Sequence, residues 1–117
     1  MKNYGALEAG GTKMVLAVMD ENGETVRKES IPTKTPDETM PEMIEFFSCS
    51  GIVSLGIGGF GPLNLNRSSS EYGHIMETPK LPWRHFPLLQ AFRDALKVPV
   101  GLDTDVNAAA LAEARLG

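Results

Sequence analysis

Cysteine is almost missing from this sequence. Its one representative, Cys49, has no partner for an internal disulfide and leaves a cysteine-built zinc site without ligands. The two histidines, His74 and His85, lie apart and read as surface or packing residues rather than a metal pair. Basic residues are outnumbered, 11 Lys and Arg against 15 Asp and Glu for a net charge of −4, and no run of them forms a basic stripe. That argues against nucleic-acid binding, where neutralising backbone phosphates dominates affinity. It leaves room for a phosphorylated small molecule, which a few backbone N–H groups and one Lys can hold inside an acidic protein. No stretch approaches a membrane span, and the N-terminus enters a strand pattern without a signal-peptide hydrophobic region, so the chain is read as cytoplasmic. What remains is ordinary. The 117 residues are 42% hydrophobic and 22% charged, which is the size and composition of one soluble domain. Such a chain buries roughly two-thirds of its unfolded surface and needs neither metal nor disulfide.

Period and punctuation then divide the chain. Tyr4-Gly5-Ala6-Leu7-Glu8 is a short apolar run stopped by Ala9-Gly10-Gly11, which predicts a strand and a tight turn. Lys13 to Met19 predicts a second strand, and Asn22-Gly23 a hairpin with a primed turn, because Gly and Asn accept positive φ. Thr25 to Pro32 is the third strand. Thr35-Pro36-Asp37-Glu38 has the capping-box spacing with Pro at the first helical position. Pro41 leaves Thr39 as the alternative cap, because proline lacks the N–H of a helix interior. In either case Met40, Met43, Ile44 and Phe47 recur at helical spacing to about Ser48. Ile52 to Ile57 is a buried strand, Leu63 to Pro82 a polar excursion with short strands, and Pro87 to Lys97 a helix. Val98 to Leu102 is a strand and Val106 to Leu116 an Ala-rich helix stopped at Gly117. The order βββαβαβα predicts an α/β fold: a mixed five-stranded sheet, three antiparallel strands first and α/β crossovers after, in the manner of a ribonuclease H-like domain.

Three constellations could carry chemistry. In Glu8-Ala9-Gly10-Gly11-Thr12-Lys13, two glycines let the backbone approach an anion, Thr12 adds a hydroxyl and Lys13 a cation. Glu8 could hold magnesium through water, although a Gly-Gly turn between strands is also simply a turn. Gly56-Ile57-Gly58-Gly59-Phe60-Gly61-Pro62 carries the spacing of a dinucleotide fingerprint but runs into Pro62 and a polar loop instead of opening a helix. It reads as a bend at the carboxyl edge of the sheet, structural or ligand-lining. In Asp103-Thr104-Asp105-Val106-Asn107, Thr104 or Asp105 suits a helix N-cap, and a carboxylate there is also placed to take a proton from a hydroxyl. Trp83 reads as a core or loop anchor, with the lining of a sugar site as the lesser alternative, and the Met residues as core filling. All three constellations follow strands one, four and five, so one sheet edge would collect them.

With those motifs in order, the chain resembles the bacterial ROK sugar kinases of the actin/hexokinase superfamily, and within them the fructokinases. Gly5 to Lys13 resembles their first phosphate motif, and Gly56 to Pro62 their glycine-rich sugar loop. Thr78-Pro79-Lys80-Leu81-Pro82-Trp83 resembles the segment bordering the sugar, and Thr104-Asp105-Val106-Asn107-Ala108-Ala109-Ala110 the region of the catalytic carboxylate. The resemblance implies Asp105 as general base, Glu8, Gly10, Gly11, Thr12 and Lys13 around the ATP phosphates and Mg2+, and Gly61, Pro62, Thr78, Thr104 and Asp105 around the sugar. Glu8 stands where many members have Asp, while Lys80 and Thr104 replace common Asn residues; these departures look more like the fructokinase branch. The resemblance further implies that residues 1–117 are an N-terminal domain and that a C-terminal domain, absent from this chain, supplies the adenosine pocket and any zinc site. A homodimer is expected for the whole protein, and little activity for this chain alone. A sugar-responsive regulator and a non-catalytic sugar-binding or dimerising module are the alternatives; the regulator is disfavoured because the first strand starts at about Tyr4, leaving no room for a helix-turn-helix before it.

Overall fold

The computed structural model describes residues 2–10, 12–59, 68–70, 72–75 and 81–102. Within them the chain forms β1 (Asn3–Ala9), β2 (Lys13–Met19), β3 (Thr25–Pro32), α1 (Pro36–Cys49), β4 (Ile52–Gly59), a 3-10 turn (Leu81–Trp83), α2 (Leu88–Leu96) and β5 (Val100–Leu102). The strands make one five-stranded sheet in the order β3-β2-β1-β4-β5. β1 pairs antiparallel with β2 and β2 with β3, whereas β1–β4 and β4–β5 are parallel. The predicted mixed sheet is therefore present. The expected final helix, 106–116, lies outside the described residues.

Parallel pairing needs crossovers, and α1 and α2 supply them. From β3 to β4 and from β4 to β5 the chain steps across the sheet in the same direction, so crossovers of one hand place both helices on one face. The core confirms this. Leu7, Leu16, Leu55, Ile57 and Val100 from the sheet join Met43 and Phe47 of α1 and Leu88 and Phe92 of α2 in a single buried cluster. Phe47 and Phe92 meet edge to face at 6.2 Å. Burying each such ring contributes on the order of 2–3 kcal/mol. The opposite sheet face carries a much smaller cluster of Tyr4, Ala6 and Met19. Both described helices share one face of the sheet.

Several local expectations are corrected by neighbouring chemistry. The hairpin is not closed by a primed turn over Asn22-Gly23, which needs positive φ at the first central residue in either type. Here Gly23 has φ +82° and Asn22 does not share it. Gly23 N–H donates to Asp20 O at 3.0 Å, and Asp20 Oδ1 accepts from the N–H groups of Asn22 and Glu24 at 2.9 and 3.0 Å. The Asp20 carboxylate thus organises the turn as an Asx motif, and the β2–β3 register shifts beside it, between Val18 and Met19. The helix cap is Thr35, in extended conformation with Pro36 next, and not Thr39; Pro41 sits inside α1. The Thr35 hydroxyl donates to Glu38 Oε1 at 3.0 Å rather than accepting from a helical N–H. β5 begins at Val100 instead of Val98, because Pro99 brings only its carbonyl to the ladder, accepting from Leu55 N–H at 3.0 Å. In the 63–82 excursion no strand is found among the described residues beyond an isolated bridge at Ile75.

Candidate active site

Because β1, β4 and β5 are mutually parallel, their carboxyl ends open on one edge of the sheet. Ligands of open α/β sheets bind at such an edge. The register aligns it: Glu8 lies opposite Gly58, Ala9 opposite Gly59, and Leu102, the last described residue of β5, opposite Ile57. The arrangement expected from the sequence, three motifs following three strands at one edge, is the arrangement of the strands that precede them.

The connection between β1 and β2 is the best described part. β1 stays apolar on its helix-facing side through Ala9, the last β1–β2 pair is Ala9 with Met14, and β2 begins at Lys13, so the described residues of the connection are Gly10 and Thr12. Glu8, Thr12 and Lys13 are exposed, and Gly10 is half-buried. Glu8 lies on the sheet face away from α1 and α2, where it lines a depression of about 240 Å³ with Val15, Ala17 and Lys28 among others. Two carbonyls of the turn are tied to one residue. Thr33 Oγ1 donates to Gly10 O at 2.8 Å, and Thr33 N–H donates to Thr12 O at 3.0 Å. Nothing in the sequence marked Thr33, which reads as the tail of a strand before a helix cap.

Of the segment Thr78–Trp83, the described part is its end, residues 81–83. Trp83 is buried, packs edge to face on Phe86 at 5.2 Å, and donates its indole N–H to Lys34 O. Of the two readings of Trp83, the anchor is the one observed. Upstream, Gly73 O accepts from Leu89 N–H at 3.2 Å and Ile75 N–H donates to Phe86 O at 2.8 Å, tying this stretch to the start of α2. His74 and His85 do not form a metal pair with a third ligand among the described residues. His74 Nδ1 is buried there without a hydrogen-bond partner. The remaining predicted site residues, Gly11, Gly61, Pro62, Thr78, Thr104 and Asp105, lie outside the described residues.

The profile of the ROK family matches residues 4–117. This chain belongs to the ROK family. A protein of Bacillus subtilis (strain 168) is 49% identical over 113 residues, covering 97% of this chain and 38% of the relative. The fructokinase of Lactococcus lactis subsp. cremoris is 44% identical over 110 residues, covering 94% of this chain and 38% of that protein. The ROK hexokinase from Thermus thermophilus superposes with a TM-score of 0.67 at 29% identity, over 95% of this chain and 38% of that one. The ROK family glucokinase from Streptomyces griseus, solved with glucose and AMPPNP, gives 0.60 at 25% identity, over 98% and 37%. The chain thus spans under two-fifths of the length of these ROK relatives.

Proposed function

We propose that this chain is the N-terminal domain of an ATP-dependent hexose kinase whose substrate is fructose, converted to fructose 6-phosphate. The observation that carries the reading is the shared edge. The carboxyl ends of three parallel strands open together, and the Gly10–Lys13 turn lies there in a ROK chain 44% identical to a fructokinase.

Phosphoryl transfer asks a protein mainly for positioning and charge neutralisation. The described residues suit that task. Exposed Thr12 and Lys13 offer a hydroxyl and a cation beside the glycine turn, and Glu8 offers an exposed carboxylate at the same strand end. Glu8 would hold Mg2+ through water, and the metal would supply neutralisation of the phosphate charge. Gly10, Gly11, Thr12 and Lys13 orient the ATP phosphates, while Gly61, Pro62, Thr78 and Thr104 border the sugar. Asp105 accepts the proton of the attacking sugar hydroxyl. The cofactors in this reading are ATP and Mg2+, the whole protein is a cytoplasmic homodimer, and zinc would enter only through a C-terminal domain. The 117-residue chain alone is read as a domain that folds without appreciable turnover.

The test is a coupled phosphorylation assay on the full-length protein with fructose, mannose and glucose, comparing wild type with Asp105→Ala. Turnover of fructose that is abolished by the substitution supports both reaction and base. Absence of turnover on every sugar rejects the kinase reading in favour of a regulator or binding module, and turnover that survives the substitution rejects Asp105.

A further inference from the structure

We propose that Thr33 is a positioning residue for the phosphate turn, acting from a two-residue post, Thr33-Lys34, that the rest of the domain holds in place. The inference rests on the kinase reading for the identity of the ligand, but its geometry does not.

An anion at a backbone turn is held by N–H dipoles and repelled by carbonyl oxygens. A turn built on two glycines is conformationally free, so its peptide planes can rotate and bring oxygen forward. Something must hold the carbonyls back. Thr33 holds both that flank the turn's centre, Gly10 O through its hydroxyl and Thr12 O through its N–H. In a trans peptide the N–H points opposite to the C=O, so anchoring Thr12 O directs the Lys13 N–H away from β3. Thr33 itself is only 6% exposed.

The post cannot follow the turn if the turn moves. Lys34 N–H donates to Thr39 Oγ1 at 2.9 Å, and Thr39, inside α1, is 1% exposed. Lys34 O accepts the indole N–H of Trp83, 49 residues away in sequence. Pro36 fixes the next turn of chain as α1 begins. Thr33 is therefore backed by the helix on one side and on the other by the segment that the proposed reading places at the sugar border. It touches neither ligand; it acts through the turn.

The experiment uses the full-length protein and compares Thr33→Val, which removes the donor at nearly constant shape, with Thr33→Ser, which keeps it. Losing one such bond should raise the ATP KM about five- to tenfold. The KM for sugar should stay within about twofold, and Thr33→Ser should restore the ATP KM. Amide hydrogen exchange of the peptide spanning residues 8–16, measured without ligand, should quicken in Thr33→Val and not in Thr33→Ser. Unchanged ATP KM and unchanged exchange would overturn the proposal. So would equal rises in both KM values, or a lowered melting temperature with kinetics intact, because either is what a merely structural threonine gives. If Thr33→Val does not fold, Thr33→Ala removes the same donor and carries the test. If wild type phosphorylates no hexose, the kinase reading fails on its own; exchange and the affinity for AMPPNP in the same variants still decide the role of Thr33.

Discussion

Replacing Gly73 by Ala should be among the most damaging single-methyl additions in this domain. Gly73 has φ +81°, and a Cβ built there overlaps Leu89 Cβ and falls 2.8 Å from Leu89 Cδ2. Leu89 is buried in α2, and its N–H donates to Gly73 O at 3.2 Å, so neither partner can retreat without breaking the tie. A side chain in the left-handed region costs roughly 1–2 kcal/mol. Forcing a methyl into packed atoms costs a further ~1–3 kcal/mol. The sum, about 2–5 kcal/mol, is a large part of the stability of a small domain. Gly23→Ala isolates the two contributions, because Gly23 has φ +82° but nothing within 4 Å of an added Cβ. It should show the backbone cost alone, and the gain from a stiffer unfolded chain, about 0.4–1 kcal/mol, is common to both. Urea unfolding followed by far-UV circular dichroism measures the difference. With a slope of about 1–2 kcal/mol per molar, Gly73→Ala should unfold roughly 1 M earlier than Gly23→Ala. Equal midpoints would refute the reasoning and mean that residues 72–75 are not held against α2.

Two further substitutions test the frame. Phe47→Ala removes a fully buried ring that also meets Phe46 at 5.1 Å, and should cost about 3–5 kcal/mol, read as a lowered thermal midpoint. Asp20→Ala removes the acceptor for two N–H groups of the hairpin and should cost about 1 kcal/mol, whereas Asp20→Asn, which keeps an oxygen acceptor, should recover most of it in the same melt.

The elements that could be read from the sequence are those whose signal is local. β2 and β3 were expected at Lys13–Met19 and Thr25–Pro32 and lie there. Their limits are set by a glycine turn, an Asx hairpin and a proline, all within a few residues. α1 also announced itself, through Pro36 and the spacing of Met40, Met43 and Phe47. Where a non-local partner decided, the reading slipped. β4 runs two residues further than expected, through Gly59, because β1 continues to pair with it as far as Ala9. A glycine cluster reads as an end when seen alone, yet glycine extends readily when a neighbouring strand supplies the ladder.

The candidate site divides along the same line. The connection carrying Glu8, Gly10, Thr12 and Lys13 was legible as a break between two strands, because adjacent glycines punctuate an apolar run. The alignment of that turn with the ends of β4 and β5 agrees with the element order, since parallel strands need a crossover connection, usually a helix. Thr33 was not legible. A threonine between a strand and a helix cap carries no mark of what it will bond, and its partners lie 23 and 21 positions away, at Gly10 and Thr12. Nor could the sequence pair Trp83 with Lys34. Composition and period by themselves determined the described elements and their order, because those depend on the periodicity of burial along the chain. Only the tertiary structure decided which backbone groups are held, and by what, because a buried hydrogen bond is satisfied by whatever donor the packing brings within about 3 Å.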